Sequence, residues 1–259
     1  MSKSFNDQYA QAYDLLNSGK PYSQEVEFLQ KIFTDFSSTK KRISNVLDLG
    51  CGSGMHLSFF APETLKVGGD FSSSMLDKAS KLNLSNSEFT LSKIQNFKSS
   101  TKFDLVFSLF HVISYQITDR QLRDTFIAIE NSLSKTGLAI FDFWHRPAWD
   151  FDPPVTRITQ RSNETLDVVR VSRPLIDGVE GTVAIDMDIF IQNAHTKNGL
   201  YQHHTEHHIM RAFTLSELRL VAEIAGLQIV AVGPWMSQSR EISSTDWYGW
   251  MALSKMQAK

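Results

Sequence analysis

Val46-Leu-Asp-Leu-Gly-Cys-Gly-Ser-Gly54 carries the most specific chemistry in this sequence. An apolar strand runs straight into a glycine-rich turn, and a helix is expected to follow near residues 54–60. Glycines there allow a sharp backbone turn and let a ligand lie against bare amides. Asp48 stands just before the first glycine, where a carboxylate can meet a cation. A dinucleotide fingerprint would need glycine at position 55, and Met55 occupies it. An ammonium group therefore suits the loop better than a pyrophosphate. Asp70 ends the next expected strand, where a carboxylate can accept both hydroxyls of a ribose. A lone glycine-rich turn is often only a turn; strand, acid, G-x-G-x-G, helix, strand and acid together are far more specific.

Two further segments carry aromatic and ionisable groups. They are Ser108-Leu-Phe-His-Val-Ile-Ser-Tyr115 and Asp142-Phe-Trp-His-Arg-Pro147. Both leave the carboxyl ends of expected strands, which is where open parallel sheets bind ligands. His111, His145 and Tyr115 are the groups that could take or orient a proton, with Asp142 available to orient one of them. His111 also reads as a loop histidine, Tyr115 as a packed loop residue, Trp144 as core and Arg146 as a solvated charge.

The elements that must position these groups are legible as apolar runs. Residues 5–36 read as helical, through Phe5, Tyr9, Tyr13 and Leu16, broken at Gly19-Lys-Pro21 and resumed by Val26, Leu29, Ile32, Phe33 and Phe36. Strands are expected at 45–49, 66–70, 87–91, 104–108 and 137–143. Helices are expected near 73–82 and 118–133, the last opened by the capping box Thr118-Asp-Arg-Gln121. Such alternation predicts an α/β fold with a parallel sheet covered on both faces. After Trp144 the pattern becomes β-type, in Thr165–Val171, Thr182–Gln192 and Leu200–Arg211, with turns at Asp177-Gly178 and Lys197-Asn-Gly199. This reads as an antiparallel β insertion between strand five and the last core helix. Thr214-Leu-Ser-Glu217 caps that helix, Gly226 stops it, and strands near 227–233 and 247–254 complete seven. The expected division is a helical lid over 1–40, a binding core over 41–150, the insertion over 151–211 and core completion over 212–259.

A chain of 259 residues, 42% hydrophobic, can bury one core plus a smaller lobe. The net charge of −2 without a basic run gives no reason to expect nucleic acid or membrane as partner. One cysteine excludes an internal disulfide. No secretory leader or bilayer-spanning run is visible, so a cytoplasmic location is expected. The insertion would expose β edges that a second copy could cover, which suggests a homodimer.

On these residues the chain resembles the class I S-adenosylmethionine-dependent methyltransferases, whose sheet is seven-stranded and Rossmann-like. The resemblance implies S-adenosylmethionine as cofactor and S-adenosylhomocysteine as its product. It implies Asp48, Gly50, Cys51 and Gly52 at the methionine part, Asp70 at the ribose, and Phe71 and Met75 beside the adenine. Met75 reads equally as core. Many relatives carry an acid after strand three; this chain has Lys93-Ile-Gln-Asn96, so Ile94, with Asn96 as substitute, takes that place. Tyr22 and Leu109 complete the implied cofactor set.

More narrowly, the chain resembles nucleotide-aminosugar N-methyltransferases. Tyr13-Asp14, Gly19-Lys-Pro-Tyr22, Phe110–Tyr115, the Trp144 loop and Glu206-His-His208 carry that likeness. It implies Tyr13, Trp144, Arg146, Glu206 and His208 around a small-molecule acceptor, with a polar aromatic or histidine near the amine at Tyr115. His111 stands where those enzymes have a small residue, and His145 replaces a second tryptophan. Arg146, Arg157, Arg173 and Arg211 are possible grips for a diphosphate.

In His203-His-Thr-Glu-His-His208, strand alternation puts His204, Glu206 and His208 on one face, a set able to bind zinc. The alternative is a polar strand with Glu206 orienting His208, and no metal is assigned. Methyl transfer is an in-line displacement that needs proximity, alignment and a free lone pair. A hydroxyl would demand a stronger base or a metal, so nitrogen is the expected acceptor atom. Tyr115 and His111 are expected to orient it, with no single base indispensable. The competing readings are a methyltransferase for another small metabolite, such as an amino acid or a hydroxylated compound, and a non-catalytic cofactor-binding regulatory protein.

Overall fold

The computed structural model describes residues 12–13, 15–39, 41–193, 200–237 and 239–256. Phe5, Tyr9, Asp14 and the expected Lys197–Gly199 turn lie outside them. The chain divides into two compact units, one of Met1–Pro21 and Pro153–Met210, the other of Tyr22–Asp152 and Arg211–Lys259.

The larger unit is a seven-stranded sheet. Its strands are β1 (Asn45–Leu49), β2 (Leu65–Asp70), β3 (Ser87–Leu91), β4 (Phe103–Ser108), β5 (Leu133–Trp144), β10 (Leu227–Pro234) and β11 (Tyr248–Lys255), in the order β10-β11-β5-β4-β1-β2-β3. β1 pairs in parallel with both β2 and β4, and β4 with β5. β11 runs antiparallel to β5 and to β10. The strand order reverses beside β1, so the carboxyl ends of β1 and β4 flank the crevice that such sheets use for ligands.

Strand periodicity sorts the side chains. Leu47, Leu49, Val106, Phe141 and Phe143 join one core with Leu122, Phe126 and Ile129 of helix α3 (Asp119–Ser132) and Leu218 and Val221 of α4 (Leu215–Ile224). Val46, Leu105, Phe107, Leu138 and Ile140 join the other core with Val26, Leu29, Ile32 and Phe33 of α1 (Tyr22–Phe36). Each of those four α1 side chains is worth about 1.5–3 kcal/mol of apolar transfer. Both expected capping boxes form, Thr118 with Gln121 and Thr214 with Glu217. α2 spans Ser73–Lys81, and Gly226 ends α4 in the left-handed region at φ 76°.

The helix expected over 54–60 does not form. A three-residue 3-10 turn, Leu57–Phe59, stands there. Pro62 and the start of β2 at Leu65 leave little length, and the Ser58 hydroxyl donates back to the Met55 carbonyl.

The second unit contains a four-stranded antiparallel sheet, in the order β6 (Arg157–Ser162), β7 (Leu166–Asp177), β8 (Thr182–Asn193) and β9 (Gln202–Arg211). In sequence it lies between β5 and α4, as expected of the insertion. β6 was not expected, because Arg-Ile-Thr-Gln-Arg-Ser lacks an apolar run. Val168, Ile189 and Ile191 bury together with Ala12 and Leu16. Among the described residues no helix is long and apolar enough to cross a membrane.

Candidate functional site

The glycine loop adopts conformations that side chains resist. Gly50, Gly52 and Gly54 have φ of 86°, 52° and 78°. The amides of Gly50 and Cys51 donate to the Gly69 carbonyl at 2.7 and 3.1 Å, tying the loop to β2. A Cβ on Gly50 would stand 2.5 Å from Val112 Cγ1, so the loop lies directly against the segment that follows β4.

Two buried carboxylates flank this loop. Asp48 is on β1, facing the same side as Val46; Asp70 ends β2. Asp70 accepts the Gly52 amide through Oδ2 and the Ser72 amide through Oδ1, both at 2.9 Å. Each oxygen keeps a further lone pair for a ligand hydroxyl. Burial raises the Asp70 carboxyl above its ordinary pKa, opposed by the Ser72, Gly52 and Phe71 amides. The Cys51 thiol is pushed well up by burial first, then by the charges of Asp48 and Asp70. The loop is therefore a region of negative potential, suited to a ligand bearing positive charge and a diol.

Met75 is buried on α2, and its methyl lies 3.3 Å from where a Gly52 Cβ would stand, so it packs beneath the loop. Phe71 is half exposed beside Asp70. Ile94 is buried in the 3-10 turn Ile94–Asn96 after β3, and Leu109 is buried at the end of β4. Tyr22 opens α1, its ring edge-on to His56 at 4.9 Å. A glycine-rich loop, two buried carboxylates flanking it and apolar residues at the neighbouring strand ends fit S-adenosylmethionine, with its ammonium, sulfonium, ribose and adenine.

Beside the loop the backbone is strained. Phe110 and His111 are successive non-glycine residues at φ 65° and 60°, and the 3-10 turn Val112–Tyr115 follows. The His111 amide donates to Asp142 Oδ1 at 2.9 Å, and its Nδ1 lies 3.0 Å from Asp142 Oδ2, off the hydrogen-bonding axis. The imidazole stacks on Tyr248 at 4.8 Å and 16°, with the Trp144 ring 5.7 Å away. The Trp144 indole N–H is buried and finds no acceptor among the described residues. Tyr115 is half buried in the turn.

Other expected residues lie elsewhere. His145 falls on the opposite face of β5 from Asp142 and Trp144; its Nδ1 meets the Asp246 carbonyl at 3.1 Å, and burial lowers its pKa. Arg146 reaches Asp150 and lies over the Trp149 ring. Arg211 is held by Asp119 and Glu217, and Arg173 by Asp188, while Arg157 is exposed.

Within the insertion unit, Glu206 and His208 are buried on one face of β9, with His208 Nε2 3.7 Å from Glu206 Oε2. His203 and His207 face the other way, paired with Asp188 and Asp186. Tyr13 packs against the Val168 cluster. Tyr248 was missed from sequence; its signal is that it pairs with Trp144 across β11 and β5, a register that only the fold supplies.

Residues 46–137 match the family model described as a methyltransferase domain. Among curated proteins, the chain is 27% identical to dTDP-3-amino-3,4,6-trideoxy-alpha-D-glucopyranose N,N-dimethyltransferase of Streptomyces venezuelae, over 85% of this chain and 90% of that one. Among solved structures, it resembles a S-adenosylmethionine-dependent methyltransferase from Clostridium acetobutylicum (TM-score 0.78, 18% identity, 96% and 98% of the two chains). It also resembles SAM-bound CalS10, an amino pentose methyltransferase from Micromonospora echinaspora (TM-score 0.73, 19% identity, 99% and 100%). With that match lying on the strand, glycine loop and flanking carboxylates described above, residues 46–137 form a methyltransferase domain, and the chain has the fold of the S-adenosylmethionine-dependent methyltransferases.

Proposed function

We propose that this methyltransferase acts on the amine of a nucleotide-linked amino sugar. The observation that carries the reading is the extent of the likeness to the dTDP-aminosugar enzyme. It covers more of this chain than the larger unit contains, so it reaches into the insertion unit as well as the donor-binding core. A likeness in the donor core alone would leave the acceptor unspecified.

When bound, S-adenosylmethionine supplies a methyl already activated by its sulfonium. The chain's task is alignment and removal of one proton from the acceptor ammonium. His111 is the group best placed for that proton. Asp142 holds its backbone and faces Nδ1, Tyr248 fixes the ring plane, and Val112 beside it abuts Gly50 of the donor loop. Tyr115 and Trp144 border the same region. The edge strands β6 and β9 are the surfaces through which two copies would pair.

The test is a label-transfer panel. Methyl-labelled S-adenosylmethionine is incubated with dTDP-linked amino sugars, the same sugars with hydroxyl in place of amine, and free amino acids. Label on the sugar nitrogen is expected. Label confined to amino acids, or to oxygen, overturns the reading.

A further inference from the structure

Glu25 and His56 form a buried pair that the donor cradle and the His111 cluster do not use. Glu25 lies in the first turn of α1, and His56 stands two residues past Gly54. Both are buried, with His56 Nε2 2.7 Å from Glu25 Oε2. The imidazole sits edge-on to two rings, Tyr22 at 4.9 Å and Phe107 at 6.2 Å. Phe107 in turn stacks on Phe60. His56 is thus fixed on three sides, and its backbone opens the short turn that follows the glycine loop.

Docking of α1 on the sheet does not require such a pair. Val26, Leu29, Ile32 and Phe33 already supply an apolar stripe against Val46, Leu105 and Phe107. Apolar contact is non-directional, however, and leaves the rotation and register of a helix weakly specified. A buried charge-capable pair costs desolvation, and its best attested use is to fix register. Here the register matters because Tyr22, three residues before Glu25, begins the helix beside the donor loop.

We infer that Glu25 and His56 are positioning residues for the methyl donor. They lock the N-terminal turn of α1 to the segment leaving the glycine loop, and so hold Tyr22 at the donor site. This rests on the methyltransferase assignment and not on the identity of the acceptor.

The experiment measures S-adenosylmethionine binding to the full-length protein by calorimetry, without acceptor, together with KM and kcat for the donor. His56→Gln and Glu25→Gln should each raise the donor Kd and KM about tenfold while kcat at saturating donor falls by less than about twofold. Tyr22→Ala, at a half-buried position, tests the same route while leaving both partners of the Glu25–His56 hydrogen bond in place. If the pair acts through Tyr22, the combined His56→Gln/Tyr22→Ala protein should bind little worse than either single variant, a departure from additivity. Lys66→Met is the stability control, since Lys66 is buried away from the loop. Donor Kd values for His56→Gln and Glu25→Gln that move no more than that of Lys66→Met would overturn the proposal. So would full additivity with Tyr22→Ala, or a fall in kcat as large as the rise in KM.

Discussion

Asp142 grips His111 twice, accepting its backbone amide at 2.9 Å through one carboxylate oxygen and holding the other 3.0 Å from the imidazole Nδ1. The residue so held is left-handed and not glycine, a conformation that costs about 1–2 kcal/mol and persists only where surroundings impose it. His111→Gln should lower kcat about a hundredfold, the lower end of what loss of a proton acceptor costs, with donor Kd unchanged. Asp142→Asn should lower it as well, because one acceptor becomes an amide donor. Tyr115→Phe should keep most turnover. Steady-state kinetics beside calorimetric donor binding checks all three; His111→Gln at near wild-type kcat would remove His111 from the chemistry.

Gly50 and Val112 link the two halves of the site. A Cβ at Gly50 meets Val112 Cγ1 at 2.5 Å, and φ of 86° disfavours any side chain there. Gly50→Ala should abolish measurable donor binding and cost about 1–3 kcal/mol of stability. Adding Val112→Ala removes the two methyl contacts but leaves the residue 112 Cβ at 3.1 Å and the dihedral strain, so it should restore stability in part. Urea denaturation of the single and double variants separates the two costs.

The donor half of this site was legible from local pattern, because strand, acid, glycines and second acid are close in sequence and each has a backbone reason. Gly52 and Asp70 meet through a hydrogen bond, Gly50 lies against Val112, and the charge of Asp48 acts on Cys51 of the loop. The acceptor half depends on register and strand parity. Tyr248 reaches His111 only because β11 pairs with β5, and His145 leaves the cluster because it faces opposite to Asp142. Most strands and capped helices were visible as apolar runs. The helix after the glycine loop failed because Pro62 and β2 follow too soon, and β6 escaped because its side chains are polar.

Asp70 should make donor binding sensitive to acid. Burial raises its pKa, so the carboxylate is lost at a higher pH than an exposed aspartate would be as pH falls. Donor affinity should then decline on acidification while the protein is still folded. Asp70→Asn should bind weakly at every pH and lose that dependence. Titrating donor Kd against pH for both proteins decides it; an unchanged slope in the variant assigns the effect elsewhere.

His208 should make the insertion unit acid-labile. Burial, followed by the charges of His207 and Arg170, lowers its pKa from the ordinary 6.5 to about 4. The unfolded chain therefore binds a proton that the folded chain refuses. Stability is complete above 6.5 and declines as pH falls from there through about 4, by an amount on the order of 3 kcal/mol. Melting curves across that range should show the loss, and His208→Gln should flatten it. A slope equally steep in the variant would place the labile group elsewhere.

Lys66 should stabilise the core without serving the site. It is buried, and its ammonium donates to the carbonyls of Ala61, Thr64 and Ser85 at 2.8, 2.9 and 3.0 Å, with Pro62 at 3.4 Å. These oxygens belong to turns that no strand or helix ladder satisfies, so the cation closes them as a cap would. Lys66→Met keeps most of the aliphatic stem and takes the ammonium from the Thr64 and Ser85 carbonyls, while Ala61 and Pro62 keep the Thr64 amide and the Asn86 side chain as donors; the loss should cost about 2–4 kcal/mol. Lys66 stands near the start of β2 and Asp70 at its end, about 13 Å away at the rise of an extended chain. The donor Kd of the folded variant should therefore equal that of the wild type. Denaturation midpoints and calorimetry at low temperature read the two quantities independently. A large change in donor affinity at preserved stability would show that the turn 61–64 communicates with the glycine loop.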